Sequence, residues 1–334
     1  MKKILLFALF IQALAFTSCS SGTFEGRQGW DEDLPALYGD VSSVTISEYR
    51  LKEAFGDIVK GALKERYLYQ FNKSGNVVEK SHFLHNGTLN RKWLYKYSSK
   101  DEMLEAARYN NRGNVLDKEL RKYDSQGNQI ECATYNAKGG VVRRENYKYD
   151  ANGDIIQELV SKADGSLLKN TTHRYAEGSK LIETYNLDVE GNVLKKWTNT
   201  YNAADLMTET LEYDKEGAIV KKTLYTYDAE GRLAEEIVYK NDELLSKETY
   251  KYDKDGAVIE YVNTKGDGSL VSKIQLKYNA DKLLVEEVEF NASGVIKSVS
   301  QIKYDGAGNV IECRNFKGEG MAPVSVTEYA IVYR

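Results

Sequence analysis

The chain has 334 residues, with 46 Lys and Arg against 50 Asp and Glu, a formal net charge of −4 and 42% hydrophobic residues. That balance argues against a nucleic-acid-binding role, which depends on an excess of basic side chains to neutralise phosphates. Tyr is abundant at 25 residues, and the only two prolines are Pro35 and Pro323, a bias that favours strands throughout.

Residues 1–18 read as a secretory signal. Lys2 and Lys3 precede an apolar run from Ile4 to Phe16, too short to span a bilayer as a stable anchor. Thr17-Ser18-Cys19-Ser20-Ser21-Gly22 resembles the site at which bacterial lipoproteins are cleaved and lipidated, with Cys19 becoming the acylated N-terminus. Phe16 stands where such signals usually carry Leu, and an ordinary signal cut near Ala15 is the alternative. Loss of Lys2 and Lys3 leaves 44 basic residues against 50 acids, a net charge of −6. Acyl chains on Cys19 would anchor the protein in a membrane, each buried methylene contributing about 0.8 kcal/mol. The implied address is the outer membrane, on its periplasmic face or at the cell surface. No later stretch is long and apolar enough for a transmembrane helix. Residues 19–40 read as a polar tether.

Residues 41–334 read as one β-repeat domain. An opening strand pair is expected at 44–51 and 62–71, joined by a linker from Lys52 to Gly61. Regular repeats then run from about 67 to 316. Phe71, Tyr97, Tyr123, Tyr149, Tyr175, Tyr201, Tyr227, Tyr252, Tyr278 and Tyr304 recur every 26 residues, except for the 25-residue step from Tyr227 to Tyr252. A fixed period of this length marks an array of one small unit. A second aromatic often follows each anchor by 12 residues, as in Tyr109, Tyr135, Tyr213, Tyr239, Phe290 and Phe316, so each unit is two strands and two turns. Asp or Asn follows most anchors, with Gly three positions later, as in Asp124 to Gly127 and Asp150 to Gly153. The Asx side chain starts the turn and Gly supplies its positive φ. Three units lack that Gly, at Asp101, Asp205 and Lys282, and a different turn geometry is expected there. Strands joined by such turns are antiparallel neighbours. With a closing turn at 317–322 and a last strand from Val324 to Tyr333, the prediction is a single all-β antiparallel meander of about 22 strands.

Side-chain alternation divides the sheet. Two and four residues before the anchors stand Tyr95, Tyr147, Tyr225, Tyr250, Trp93 and Trp197, interspersed with Glu119, Glu145, Glu248 and His173. Immediately before the anchors, on the other face, stand Lys96, Lys122, Lys148, Arg174, Lys251, Lys277 and Lys303. Eight residues after them Glu recurs, with Gln157 the exception, so Lys rows can balance Glu rows. Charges in both rows exclude a lipid-facing outer-membrane barrel. The sheet is expected as an open twisted ribbon, or curled so that its aromatic face lines a wall or lumen, and not as a flat slab, because adjacent strands rotate by ~20–25°. Cys132 and Cys313 occupy equivalent places seven units apart, beyond the ~7 Å reach of a disulfide in such a ribbon.

The pattern in Tyr225-Thr226-Tyr227-Asp228-Ala229-Glu230-Gly231-Arg232-Leu233 and Tyr304-Asp305-Gly306-Ala307-Gly308-Asn309-Val310-Ile311 resembles the YD repeats of the Rhs and teneurin class. Combined with the signal, it looks like uncharacterised lipoproteins of Bacteroidetes-type bacteria. Rhs arrays form shells around a toxin. This chain is far shorter and shows no toxin-like domain or autoproteolytic site, so the resemblance implies YD hairpins and transfers no active site.

Candidate chemistry is sparse. His82 and His85 flank one hairpin without a third ligand or a Cys partner, and His173 lies about three and a half units further on, so they make a weak metal signal. Asp150-Ala151-Asn152-Gly153-Asp154 offers alternating oxygens, but the shared hairpin chemistry accounts for them. Trp93 and Trp197 share the minus-four place and could stack on sugar rings or cover the sheet. No cofactor, metal or catalytic residue is expected. The reading is a non-enzymatic, membrane-tethered binding or scaffold module for a protein or glycan partner. The candidate face comprises Trp93, Tyr95, Tyr147, Trp197, Tyr225 and Tyr250. A glycan-capturing or glycan-processing envelope component is the alternative.

Overall fold

The structure is a computed structural model that describes residues 34–334. The signal segment, Cys19 and most of the tether lie outside the described residues. Twenty-two strands and no helix occur among those residues. They are β1 (Val41–Ala54), β2 (Asp57–Phe71), β3 (Val77–Leu84), β4 (Leu89–Tyr97), β5 (Met103–Asn110), β6 (Val115–Tyr123), β7 (Gln129–Asn136), β8 (Val141–Tyr149), β9 (Ile155–Lys162), β10 (Leu167–Ala176) and β11 (Lys180–Leu187). The series continues with β12 (Val193–Tyr201), β13 (Met207–Tyr213), β14 (Ile219–Tyr227), β15 (Leu233–Lys240), β16 (Glu243–Tyr252), β17 (Val258–Lys265), β18 (Leu270–Tyr278), β19 (Leu284–Phe290), β20 (Ile296–Tyr304), β21 (Val310–Lys317) and β22 (Ala322–Tyr333).

All belong to one sheet. β1 pairs antiparallel with β2 and also with β22, from Val41 opposite Tyr333 to Arg50 opposite Ser325. The first and last strands are therefore paired with each other, which corrects the expectation of an open ribbon. An open sheet would leave β1 and β22 with rows of unpaired N–H and C=O groups, and pairing them removes both edges. Two compact units make up the chain. One holds β1–β3, the end of β18, most of β19 and β20–β22. The other holds β4–β17, the start of β18 and the turn after β19.

The opening pair also differs from expectation. Residues 52–61 continue the strands and reverse through a two-residue turn at Phe55 (φ 54°) and Gly56 (φ 86°). The register runs without a break from Leu51 opposite Lys60 to Ala54 opposite Asp57, so the pair is a long hairpin without a linker.

Each YD turn repeats one set of hydrogen bonds. At Asp124 the backbone N–H donates to Asn128 O (2.9 Å) and Gly127 N–H donates back to Asp124 O (3.2 Å). Asp124 Oδ1 accepts from Gln126 N and Asn128 N, each at 2.9 Å. The three units without Gly make the same bonds, at Ser98, Asn202 and Asn279. Asp101, Asp205 and Lys282 take the positive φ themselves, at 62°, 62° and 63°. The expected difference in geometry is therefore corrected: the turn's bonds outweigh the cost of a left-handed residue, roughly 1–2 kcal/mol. The 25-residue step has a separate cause. Between β15 and β16 the chain reverses through Asn241 (φ 49°) and Asp242 (φ 65°) alone, a two-residue turn with both centres left-handed.

These conformations give a paired prediction. Gly217 has φ +85° and nothing within 4 Å of an added Cβ, so Gly217→Ala meets only backbone strain; it is expected to lose about 1 kcal/mol. Gly306 has equally open space and no positive φ. Gly306→Ala is expected to gain about 0.4–1 kcal/mol by restricting the unfolded chain. Urea melts of the two variants should move in opposite directions, and movement in the same direction would contradict this account of the turns.

The anchor tyrosines hold the repeats together. Each exit strand carries one extra residue beside the anchor: Tyr97 faces Met103 while Lys96 faces Glu105, leaving Leu104 as a bulge. The ladder is disrupted at such a bulge, and the carbonyl beside it takes a side-chain donor instead. Tyr123 Oη donates to Met103 O (2.8 Å), and Tyr149, Tyr175, Tyr201, Tyr227, Tyr252 and Tyr304 donate to Gln129, Ile155, Leu181, Met207, Leu233 and Leu284 O at 2.6–3.0 Å. Each hydroxyl thus clamps the open end of the hairpin made with the preceding repeat. Phe71, the first anchor, has no preceding repeat to clamp. Tyr227→Phe is expected to cost about 1–1.5 kcal/mol and to raise amide exchange around Met207. A change below about 0.3 kcal/mol would show that the ring alone matters.

Candidate functional site

The two sheet faces carry different chemistry. On one, Lys and Glu rows meet across strands as expected: Lys96–Glu105 (2.9 Å), Lys122–Glu131 (2.9 Å), Arg174–Glu183 (2.5 Å), Lys251–Glu260 (2.6 Å) and Lys303–Glu312 (2.9 Å). Several Glu residues also take a base from the next hairpin, as Glu260 does from Lys273 (2.7 Å). Hydrogen bonds from Lys251 and Lys273 hold the Glu260 carboxyl down at about 2. The second aromatics share this face. Lys118 lies over Tyr135, Lys196 over Tyr213, Lys222 over Tyr239 and Lys273 over Phe290, at 4.8–5.7 Å. These exposed pairs and cation–π contacts form a solvated ladder, each contributing no more than about 1 kcal/mol.

The opposite face bears the anchors and all six candidate residues. Trp93 and Tyr95 lie on β4, Tyr147 on β8, Trp197 on β12, Tyr225 on β14 and Tyr250 on β16. Tyr95 and Tyr250 are buried to 8% exposure, and the other four are half-buried. The structure puts them on one face without gathering them into one pocket. Trp93 and Trp197 are eight strands apart along the ladder, about 38 Å at about 4.8 Å per strand, so the two indoles do not share a sugar ring. Tyr225 and Tyr250, by contrast, flank β15 from its two sides.

Carboxylates occupy the spaces between the rings. Tyr147 Oη donates to Glu145 Oε2 (2.6 Å) and Tyr250 Oη to Glu248 Oε2 (2.9 Å). Burial, reinforced by the neighbouring Glu, pushes both hydroxyls well above the usual tyrosine range, so they remain donors. Burial pushes Tyr225 up to about 12. Tyr250 packs against Tyr261 across the ladder, with centroids 5.4 Å apart at 51°. Lys195 Nζ stands 5.9 Å from the Trp197 ring and pairs with Glu212 at 2.6 Å. Burial pushes Glu119 upward against the pull of Arg121, which donates to it at 3.2 Å. Sequence reasoning missed Glu236 and Tyr261, nine residues after their anchors; the bulge moves that position onto the aromatic face.

The histidines take packing roles where the structure describes their contacts. His82 stacks on Tyr67 (4.5 Å, 8°) with Nε2 3.1 Å from Glu65 Oε2. His173 Nδ1 lies 3.0 Å from Thr184 Oγ1, and burial lowers its pKa. Cys132 is buried and free, so it is not bonded to Cys313. A groove of about 520 Å³ lies beside the β9–β10 turn, between Val142, Arg143, Lys162 and Leu168. Among the described residues no group of three or more His, Cys, Asp or Glu is placed to hold a metal ion.

No family model matches the chain, and no curated protein matches it. Among solved structures it is similar to a chain of the TcdB2–TccC3–Cdc42 crystal structure, at 10% identity over 79% of this chain and 19% of that one, with a TM-score of 0.32. The TcdB2–TccC3 crystal structure gives 10% identity, 79% and 20% coverage and a TM-score of 0.32. A porin-like protein from Bacteroides uniformis gives 8% identity over 89% of this chain and 99% of that one, with a TM-score of 0.30. This chain spans about a fifth of the length of those TcdB2–TccC3 chains.

Proposed function

We propose that the protein is a non-enzymatic binding module of the bacterial envelope, held to the outer membrane by lipidated Cys19, with a glycan as its partner. The observation that carries this reading is the aromatic face, on which half-buried rings alternate with carboxylates already paired to tyrosine hydroxyls. Rings offer flat apolar contact to sugar faces, and fixed carboxylates accept sugar hydroxyls. The nearly constant repeat length supports binding over catalysis, since no insertion interrupts the array to build a reaction centre. Binding of the purified protein to an envelope-glycan array tests the reading, with Trp197→Ala and Tyr147→Ala expected to lower the signal at least fivefold. Unchanged binding in both variants would remove this face as the site, and polysaccharide turnover by the purified protein would defeat the non-enzymatic assignment. Loss of lipid labelling in Cys19→Ala, and protease shaving of whole cells, test the anchor and the side on which it is displayed.

A further inference from the structure

Between β14 and β17 two carboxylates stand opposite one another on the aromatic face. In register, Tyr225 faces Glu236, Glu236 faces Glu248, and Glu248 faces Asn263. Directly opposed residues hold their Cβ atoms roughly 4.5–5.5 Å apart. The two acids have unequal surroundings. Glu248 accepts from Tyr250 Oη at 2.9 Å and from Asn263 Nδ2 at 3.5 Å. Glu236 Oε2 is sealed from solvent and has no hydrogen-bond partner among the described residues. The groups that face the pair are Lys221 and Tyr225 from β14, Tyr250 from β16 and Tyr261 from β17. Lys221 is itself opposed by Glu212 of β13.

We propose that Glu236 and Glu248 share one proton around neutral pH and so make the charge of this stretch of the aromatic face respond to pH. Two like charges on neighbouring strands, partly withdrawn from water, do not both ionise at ordinary carboxyl pH. Glu248, with two donors aimed at it, is the charged member. Glu236 carries the proton, because ionising it would strand a sealed oxygen. Burial, then the charge of Glu248, raises Glu236 to about 7, against a pull from Lys221. The sign of the linkage follows. The folded segment keeps a proton that the unfolded chain releases above the ordinary value of 4.5. The contribution of Glu236 to the stability of β14–β17 is therefore greatest below that value, declines as pH rises toward 7, and is level above it. Across neutrality the pair passes from one negative charge to two, whatever the face binds, so the inference does not depend on a glycan partner.

The test is a carboxyl-carbon NMR titration of the Glu-labelled protein. One side chain is expected to titrate near pH 7, to vanish in Glu236→Gln, and to move down by at least one pH unit in Glu248→Gln. The second variant keeps the test decisive if the first fails to fold. Titration of every Glu below pH 5.5, persistence of the high titration in Glu236→Gln, or no downward shift in Glu248→Gln would overturn the proposal.

Discussion

Replacing Val44 by Asp is expected to cost at least 3 kcal/mol and to release β1 from β22. Val44 is 0% exposed and packs with Val41 and Tyr329, surrounded by Leu37, Ile46, Phe71, Val310 and Ile331. This cluster joins the first strand to the last. An ionised carboxylate placed there would have no counter-charge, and a protonated one would still lose apolar contacts and need a hydrogen-bond partner. A long array need not unfold in one step, so the sharper readout is hydrogen exchange. Amides of β1 and β22 should exchange faster by two orders of magnitude or more, an effect of the size expected from about 3 kcal/mol of local opening. Val189, 68% exposed at a turn, is the control: Val189→Asp should stay within about 0.5 kcal/mol. Equal effects at the two sites would mean that the seam carries no special share of stability.

Asn309→Ala should cost about 2–4 kcal/mol, more than the same change at its counterparts in other repeats. Asn309 is 0% exposed. Its Oδ1 accepts from Tyr38 N at 2.6 Å, and its Nδ2 donates to Tyr38 O at 3.0 Å and to Tyr333 Oη at 2.7 Å. Tyr333 Oη in turn donates to Asp305 Oδ2 at 2.6 Å. One amide thus ties the segment before β1 to a YD turn and to the end of β22. Truncation would leave the Tyr38 backbone groups without those partners, and each such group costs roughly 1–3 kcal/mol. Asn128 occupies the same place in its own repeat, but its Nδ2 bonds to Asp124 Oδ2 within the turn. Asn128→Ala should therefore lose about 1 kcal/mol or less. Proteolysis near Tyr38 should accelerate in Asn309→Ala and not in Asn128→Ala, and parallel behaviour would contradict a latch at Asn309.

Much of the architecture was legible because it rests on local chemistry repeated many times. An anchor, an Asx residue and a Gly at fixed offsets determine a hairpin wherever they occur, and the Lys–Glu register followed from the same spacing. Closure was not legible, because it depends on Val44, Tyr329 and Arg334, which lie outside the repeats. Arg334 donates its backbone N–H to Asp40 O at 2.9 Å and its guanidinium to Phe71 O and Asn72 O at 2.7 Å, contacts between sequence-distant groups. The candidate face was legible on the entering strands, where alternation runs unbroken to the anchor. On the exit strands one bulged residue reverses the parity. Glu236 and Tyr261 therefore join Tyr225 and Tyr250, although counting from the anchor alone would assign them to the charged face. The turns at Asp101, Asp205 and Lys282 teach the converse: a missing Gly changed a residue's strain and not the geometry.

Closure of the ladder is the claim on which the rest depends, and a cysteine pair across the seam measures it most directly. Thr45 and Ala330 stand opposite one another in the β1–β22 register. In a Cys132→Ser background, Thr45→Cys combined with Ala330→Cys should form an intramolecular disulfide under mild oxidation, identified by mass spectrometry of the linked peptides, while each single variant should not. Free thiols at both positions in the folded double variant would mean that the first and last strands are apart and that the sheet is open.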